Sequence, residues 1–361
     1  MNLRSLISPE IQNAHAHLPE SGREKFIKLD LNESYHFLDR TILAELKKFD
    51  VRTIGTYPAY DTLNRVLAKY TGRKREEICL TNGSDQAIQL LSALFFGPGD
   101  RVVVPSPTFF VYYSVLDLLR AKAVDIGYTA GQNGFNFPFE QTMAALTPKT
   151  KGLLLCNPNN PLGIPIPAAH IKALIVKTHA LGIPVIIDEA YFEFYGQTSA
   201  ALISKYDNLI IIRSFSKAFG LAGLRLGYVL ARKEVIDQLV KLRLEWAVNH
   251  FAVFTGETVL RHRAHFQKKV AEVISSRREL VAALRRYGYA CRDTCTNFIL
   301  VETAAPARLT AALRRRGILV NDISKYPHGH GLLSHVIRVS IPSRRDMGKV
   351  KKVFQEEAFK I

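Results

Sequence analysis

Ser214-Phe-Ser-Lys-Ala-Phe-Gly-Leu-Ala-Gly-Leu-Arg-Leu-Gly227 is the stretch on which the reading of this chain turns. It follows Leu-Ile-Ile-Ile-Arg at 209–213, the near-continuous apolar pattern of a strand buried on both faces. Lys217 therefore stands beyond the carboxyl end of a strand, the edge at which open α/β sheets bind ligands. Its neighbours Ser214, Ser216, Ala218, Gly220, Ala222 and Gly223 are small, so a bulky group can lie against the backbone. A lysine condenses with an aldehyde only as the free amine, which partial desolvation and a nearby positive charge favour. Ser214, Ser216 and Arg225 suit a phosphate, Arg225 through its forked guanidinium. Taken alone, the lysine reads better as a surface residue of a serine-rich loop. Its surroundings in the rest of the chain change that.

Working outward, further candidate strands lie at 101–104, 152–156, 185–188 and 227–230. Amphipathic stretches separate them. Leu63, Val66, Leu67 and Tyr70 recur at helical spacing before Gly72; Ile88, Leu91 and Phe95 do the same; 168–181 reads as a helix stopped by Gly182 and Pro184. Apolar strands alternating with helices predict an α/β fold, a mainly parallel central sheet with helices on both faces. The last third changes character: a long helical pattern over 252–286, a strand at 297–302, a helix at 306–316, a strand at 336–340 and a closing helix from 344. A chain of 361 residues is long for one core. We expect a large domain over 45–250 and a smaller α+β domain formed by 1–44 with 251–361.

Four more elements sit at predicted strand ends. Asp188, in Val185-Ile-Ile-Asp-Glu-Ala-Tyr191, ends an apolar strand where a carboxylate is poorly solvated. A protonated pyridine nitrogen is a suitable partner, and a helix cap is the ordinary alternative. Asn157-Pro-Asn-Asn-Pro-Leu-Gly163 is a rigid loop offering the Asn160 amide, or simply a turn. Thr81-Asn-Gly-Ser-Asp85 opens a helix: Gly83 permits close approach, and Ser84 and Asp85 bring N-terminal N–H groups that favour phosphate, besides capping. Phe109, in Pro105-Ser-Pro-Thr-Phe109, suits either the core or the face of a planar heterocycle.

Singly each element is ambiguous, but their order and placement are not. From Leu31-Asn-Glu33 to Ile337-Arg-Val339 the chain resembles the fold-type I pyridoxal 5′-phosphate (PLP) enzymes of the class I/II aminotransferase superfamily. It is most similar there to histidinol-phosphate aminotransferases, with threonine-phosphate decarboxylases almost as similar. The resemblance implies that Lys217 holds PLP as a Schiff base and shuttles the proton. It implies that Asp188 pairs the pyridine nitrogen, that Asn160 and Tyr191 bind the phenolic oxygen, and that Phe109 stacks on the ring. Gly83, Ser84, Asp85, Ser214, Ser216 and Arg225 would surround the phosphate. Tyr57 would reach that phosphate from a neighbouring subunit, implying a homodimer. Arg338 would bind the substrate α-carboxylate, near Asn32. The implied reaction moves an amino group between an L-amino acid or amino-phosphate and a 2-oxo acid; decarboxylation on the same cofactor and transamination of aromatic amino acids are the alternatives.

One position departs from the pattern. Family members typically carry Gly-Ile-Leu-Val-Arg-Asp in the small domain, with the arginine on the substrate phosphate, whereas this chain reads Gly317-Ile-Leu-Val-Asn-Asp322. Asn321 cannot make a charged, bidentate contact. Lys325, His328 or His330 in the long His- and Gly-rich loop at 325–335 are candidates to restore the charge, as are Arg315 and Arg23. Alternatively the substrate carries no phosphate.

The formal net charge is +17, which favours anionic partners and raises the possibility of a basic nucleic-acid binder. The runs at 73–75 and 314–316 lack interleaved aromatic residues, so solvated surface and no nucleic-acid partner are expected. Cys79, Cys156, Cys291 and Cys295 read as reduced structural residues, with no metal site. No run approaches the roughly 20 apolar residues of a membrane span, and the N-terminal stretch has no apolar run resembling a secretory signal. A cytoplasmic protein without a membrane partner is the expectation.

Overall fold

A computed structural model describes residues 6–13, 20–34, 37–131 and 134–358. Its strands, in chain order, are β1 (Ile27–Leu29), β2 (Ile78–Asn82), β3 (Arg101–Ser106), β4 (Lys122–Gly127), β5 (Thr129–Gly131), β6 (Gly134–Asn136), β7 (Thr150–Cys156), β8 (Val185–Asp188), β9 (Leu209–Ser214), β10 (Leu226–Leu230), β11 (Ala290–Arg292), β12 (Phe298–Glu302), β13 (Ile318–Asp322) and β14 (Val336–Ser340). Seven of them form the central sheet in the order β2-β10-β9-β8-β7-β3-β4. The pairs β9–β8, β8–β7, β7–β3 and β3–β4 are parallel. Alternate residues serve opposite cores: Leu209 and Ile211 pack on one face of the sheet, Ile210 and Ile212 on the other. Burial on both faces is why the run at 209–213 carries no polar alternation.

The strand β10 departs from the parallel pattern, since it is antiparallel to both β2 and β9. The connection over 215–225 explains this. A parallel return needs a crossover of about a dozen residues or more, usually helical, and here the connection is spent on the loop carrying Lys217.

The second sheet runs β1-β13-β14-β12-β11. Its first strand comes from the N-terminal part of the chain and pairs parallel with β13; the other pairings are antiparallel. The single long helix expected over 252–286 is instead two, His250–Arg261 and Arg263–Arg286. His262 leaves helical geometry at φ −96°, ψ 26°. The first of the pair packs on the helix Asp61–Thr71 beside the large sheet, the second on Arg344–Ala358 and β11 beside the small one. The break thus lets consecutive helices serve different sheets.

The basic runs are largely paired. Arg73 bridges Glu77 and Arg75 bridges Asp61, while Arg314 and Arg316 meet Glu20 and Glu356. All four cysteines are free. No described helix is long and apolar enough to cross a membrane. Among the described residues no cluster of His, Cys, Asp and Glu is arranged to hold a metal ion.

Candidate active site

The carboxyl ends of β8 and β9 bring Asp188 and the Lys217 loop together. Lys217 is half-buried and donates to the Leu31 carbonyl at 3.2 Å. Its ammonium is not wholly shut off from solvent, yet the surrounding protein still desolvates it. That desolvation, reinforced by the charge of Arg338, lowers its pKa to about 8. Asp188 is fully enclosed at the end of its strand. It accepts from the Tyr112 hydroxyl at 3.0 Å and from the Ala190 backbone N–H at 2.9 Å. Burial raises its pKa to about 6 despite those two donors. A carboxylate held so firmly in a poorly solvating place gains from a cationic partner.

A cradle lies beside them. Gly83, in the left-handed region at φ 76°, begins the helix Gly83–Phe95, and a Cβ there would sit 2.4 Å from Nη2 of Arg225. A Cβ on Gly227 would lie 2.8 Å from the Ser84 nitrogen. Both glycines therefore keep the start of that helix open beside the guanidinium. The Ser216 N–H donates to Ser214 Oγ at 3.1 Å, and Arg225 Nη1 reaches Ser216 Oγ at 3.4 Å. The Asp85 carboxylate takes Nη2 of Arg225 at 2.7 Å, so its side chain orients the arginine. Backbone N–H groups, two hydroxyls and a guanidinium on one concavity suit a phosphate.

On the other side, Asn32 donates from Nδ2 to the Tyr191 hydroxyl at 2.7 Å. Arg338 projects from β14 and donates to Asn160 Oδ1 at 2.6 Å and to the Asp30 carbonyl at 3.0 Å. Lys217, Asp188, Asn160, Tyr191 and Arg338 thus come from four separate segments.

The sequence profile of the family described as aminotransferase class I and II matches residues 24–355. The chain belongs to this family.

A histidinol-phosphate aminotransferase of Dehalococcoides mccartyi is 33% identical over 337 residues, 92% of this chain and 91% of that one. Among solved structures, the histidinol-phosphate aminotransferase of Sinorhizobium meliloti in complex with PLP superposes with a TM-score of 0.85 at 20% identity, covering 99% of this chain and 98% of that one. The L-threonine-O-3-phosphate decarboxylase of Porphyromonas gingivalis gives 0.76 at 23% identity, covering 91% and 98%. The last two likenesses are of fold. This class I/II aminotransferase is a PLP-dependent transaminase of fold type I. Its desolvated lysine, enclosed aspartate and phosphate-shaped cradle fit that cofactor.

The remaining predicted residues are placed less uniformly in this aminotransferase. Phe109 is half-buried, with Phe110 and Tyr112 edge-on at 5.3 and 6.1 Å, so one face is left free of those rings. Tyr57 is 73% exposed and stacks on Trp246 at 4.1 Å, outside the cradle. Asn321 is half-buried and registers directly against Arg338 across β13 and β14. Three of the proposed substitutes for its missing charge are engaged elsewhere: Arg23 pairs with Asp30 and Glu33, each at 2.7 Å, while His328 meets Asp125 and His330 meets Ser106; Lys325 is exposed. Arg315 is exposed at the end of the helix Pro306–Arg315.

Sequence reasoning passed over several supporting residues. Tyr112 fixes Asp188. Ser340 and Asn297 hold Asn32, through Asn32 N–H to Ser340 Oγ at 3.0 Å and Asn297 Nδ2 to the Asn32 carbonyl at 2.9 Å. These contacts sustain Asn32 in its left-handed conformation at φ 57°. Tyr112 was within reach, three positions after Phe109. Ser340 and Asn297 carry no local signal.

Proposed function

We propose that this aminotransferase exchanges an amino group between histidinol phosphate and a 2-oxo acid, with Arg338 as the anchor for the substrate anion. One observation carries the reading. Arg338 is only 5% exposed, its hydrogen bonds go to a neutral amide and a backbone carbonyl, and its Nε has no partner among the described residues. The buried Arg213 and Arg277 instead pair with Glu189 at 2.7 Å and Asp293 at 2.5 Å. An uncompensated buried guanidinium is costly, and an anionic substrate removes that cost. The carboxylate of a 2-oxo acid and the phosphate ester of histidinol both offer paired oxygens to one fork. The identity to named relatives over nine tenths of the chain favours the phosphate-bearing substrate.

When bound, PLP supplies an electron sink for the bond that breaks at the substrate Cα. The chain's own groups then act as follows. Lys217, with its lowered pKa, would take the proton from the substrate Cα and hold it at Nζ. Asp188 keeps a positive charge beside its carboxylate at the end of β8. Tyr191 and Asn160 would hold the cofactor's phenolic oxygen, Phe109 its ring, and the cradle around Arg225 its phosphate.

The reading includes a cytoplasmic homodimer. The large apolar residues Val51, Ile54, Tyr57, Leu244 and Trp246 stand exposed, and the Tyr57–Trp246 stack links the two stretches that carry them. An apolar patch of this kind suits a second copy, with Tyr57 extending to its partner's phosphate cradle. Four free cysteines suit a reducing compartment.

Single-turnover spectroscopy tests the assignment. Histidinol phosphate, added without an acceptor, should discharge the visible cofactor band, and a 2-oxo acid should restore the band. Carbon dioxide release from threonine phosphate, with the band retained, would mark a decarboxylase. Discharge by phenylalanine but not by histidinol phosphate would mark an aromatic aminotransferase.

A further inference from the structure

The loop over 323–335 joins strands of the five-stranded sheet, yet its side chains are seated on the seven-stranded one. His328 Nδ1 lies 2.6 Å from Asp125 Oδ2 in β4, and its ring stacks on Tyr113 at 3.6 Å and 7°. The Tyr113 hydroxyl donates to the other oxygen of Asp125. Only an N–H can face a carboxylate so closely, so Nδ1 carries a proton in either charge state of the ring. Two positions on, His330 Nε2 is 2.9 Å from Ser106 Oγ at the end of β3. Both histidines are in the left-handed region, at φ 54° and 48°, a conformation that persists where surrounding contacts over-determine it.

Tyr326 precedes this double attachment. It is half-buried, its hydroxyl faces the Phe110 backbone N–H, and it lies within the field of Arg338. Phe110 adjoins Phe109, so the Tyr326 hydroxyl is held next to the residue proposed to face the cofactor, and near enough to Arg338 to feel its charge. Burial raises its phenol to about 12, so it is a neutral hydrogen-bond donor at physiological pH.

We propose that Tyr326 is a specificity-determining residue that walls the substrate side chain between Phe109 and Arg338, and that His328, Asp125 and Tyr113 are positioning residues that hold it there. The proposal rests on Arg338 anchoring the substrate anion. With the anion at Arg338 and the reacting nitrogen at Lys217, two points of the substrate are set, and its remaining substituent is left to the surface that the loop closes. An aromatic wall with one hydroxyl suits a flat side chain with a hydrogen-bond acceptor, such as imidazole, over an extended charged one.

Steady-state kinetics on the PLP-loaded enzyme test this. Losing one neutral hydrogen bond, Tyr326→Phe should lower kcat/KM for histidinol phosphate by about tenfold and leave phenylalanine unchanged. Tyr326→Ala should lower both by about a hundredfold and alanine by much less. His328→Ala should raise KM for the imidazole substrate about tenfold, with kcat and the visible cofactor band unchanged. His328→Asn, which restores an N–H donor, should recover most of that KM. Asp125→Asn serves the same purpose if His328→Ala fails to fold. Equal losses for aromatic and aliphatic donors in Tyr326→Ala, or a fall in kcat with loss of the cofactor band in the His328 and Asp125 variants, would overturn the proposal. Failure of the Arg338 reading would look different, as an Arg338→Gln enzyme whose KM is unchanged for every substrate.

Discussion

Arg338 Nη1 donates to Asn160 Oδ1 at 2.6 Å, and through that contact β14 of the small sheet meets the loop after β7 of the large one. Arg338 is buried without a counter-ion among the described residues, so the same guanidinium registers the two sheets and is free to take an anion. Removing it should cost both roles. Arg338→Gln should lower kcat/KM by about 3 kcal/mol, somewhat more than a hundredfold. Arg338→Lys should recover little, because an ammonium cannot span Asn160 and a paired-oxygen anion together. Kinetics with glutamate and with histidinol phosphate should show parallel losses.

Lys217 sets the pH dependence of cofactor capture. Its folded pKa of about 8 lies below the ordinary 10.5. Between those values the unfolded chain binds more protons at this site, so its contribution to apoprotein stability rises with pH across that window. The free amine is the species that condenses with an aldehyde. The rate at which added PLP generates the visible band should therefore climb with pH, with a midpoint near 8. Lys217→Ala should abolish the band at every pH. Stopped-flow absorbance on the apoprotein measures both.

Much of this was legible in the chain because the decisive residues terminate strands buried on both faces. The run at 185–188 coincides with β8, and those at 152–156 and 209–213 differ from β7 and β9 by two residues and one. The edge strand β4, Lys122–Gly127, was not recognised; it is half-buried along most of its length, and its mixed polarity resembles a loop. The direction of β10 was missed because direction follows from the connecting loop, which an apolar run does not encode. In the site, residues within motifs were found, whereas Ser340 and Asn297 were not. They lie 308 and 265 positions from the asparagine they support, and only the closure of the small sheet brings them near.

Asp188 makes opposite contributions to the empty and the loaded protein. Its folded pKa, about 6 against an ordinary 3.8, means that the folded state binds more protons between those values. Apoprotein stability from this group therefore falls as pH rises through the window, and the penalty is complete above it. Asp188→Asn should raise the apoprotein Tm at pH 7.5 and leave it nearly unchanged below pH 4, as read by thermal unfolding across pH. In the loaded enzyme the same change should lower kcat by about 3 kcal/mol, over a hundredfold, because the charge facing the cofactor is gone.

The exposed stack of Tyr57 on Trp246 should be covered by a second copy of the chain. Leu244→Asp with Trp246→Asp places charge in that apolar patch; sedimentation velocity should show a dimer for the unaltered protein and monomers for this variant. PLP affinity should fall in the same variant, and Tyr57→Phe should weaken PLP binding without dissociating the dimer, since only the hydroxyl is lost.

Asn321 registers against Arg338 on the adjacent strand, so their side chains emerge on the same face of the small sheet. A carboxamide there offers a neutral contact beside a buried guanidinium that has no counter-ion. A second guanidinium would oppose Arg338 when the cleft is empty and reinforce it when a doubly charged phosphate is bound. Asn321→Arg should therefore raise kcat/KM for histidinol phosphate by about tenfold to a hundredfold, one charge-assisted contact, and leave or lower that for singly charged 2-oxo acids. Because the gain depends on neutralising two cations, it should shrink as salt is added. Kinetics of both half-reactions at low and high ionic strength measure it. Equal gains for carboxylate and phosphate substrates would place Asn321 outside the reach of the distinguishing charge.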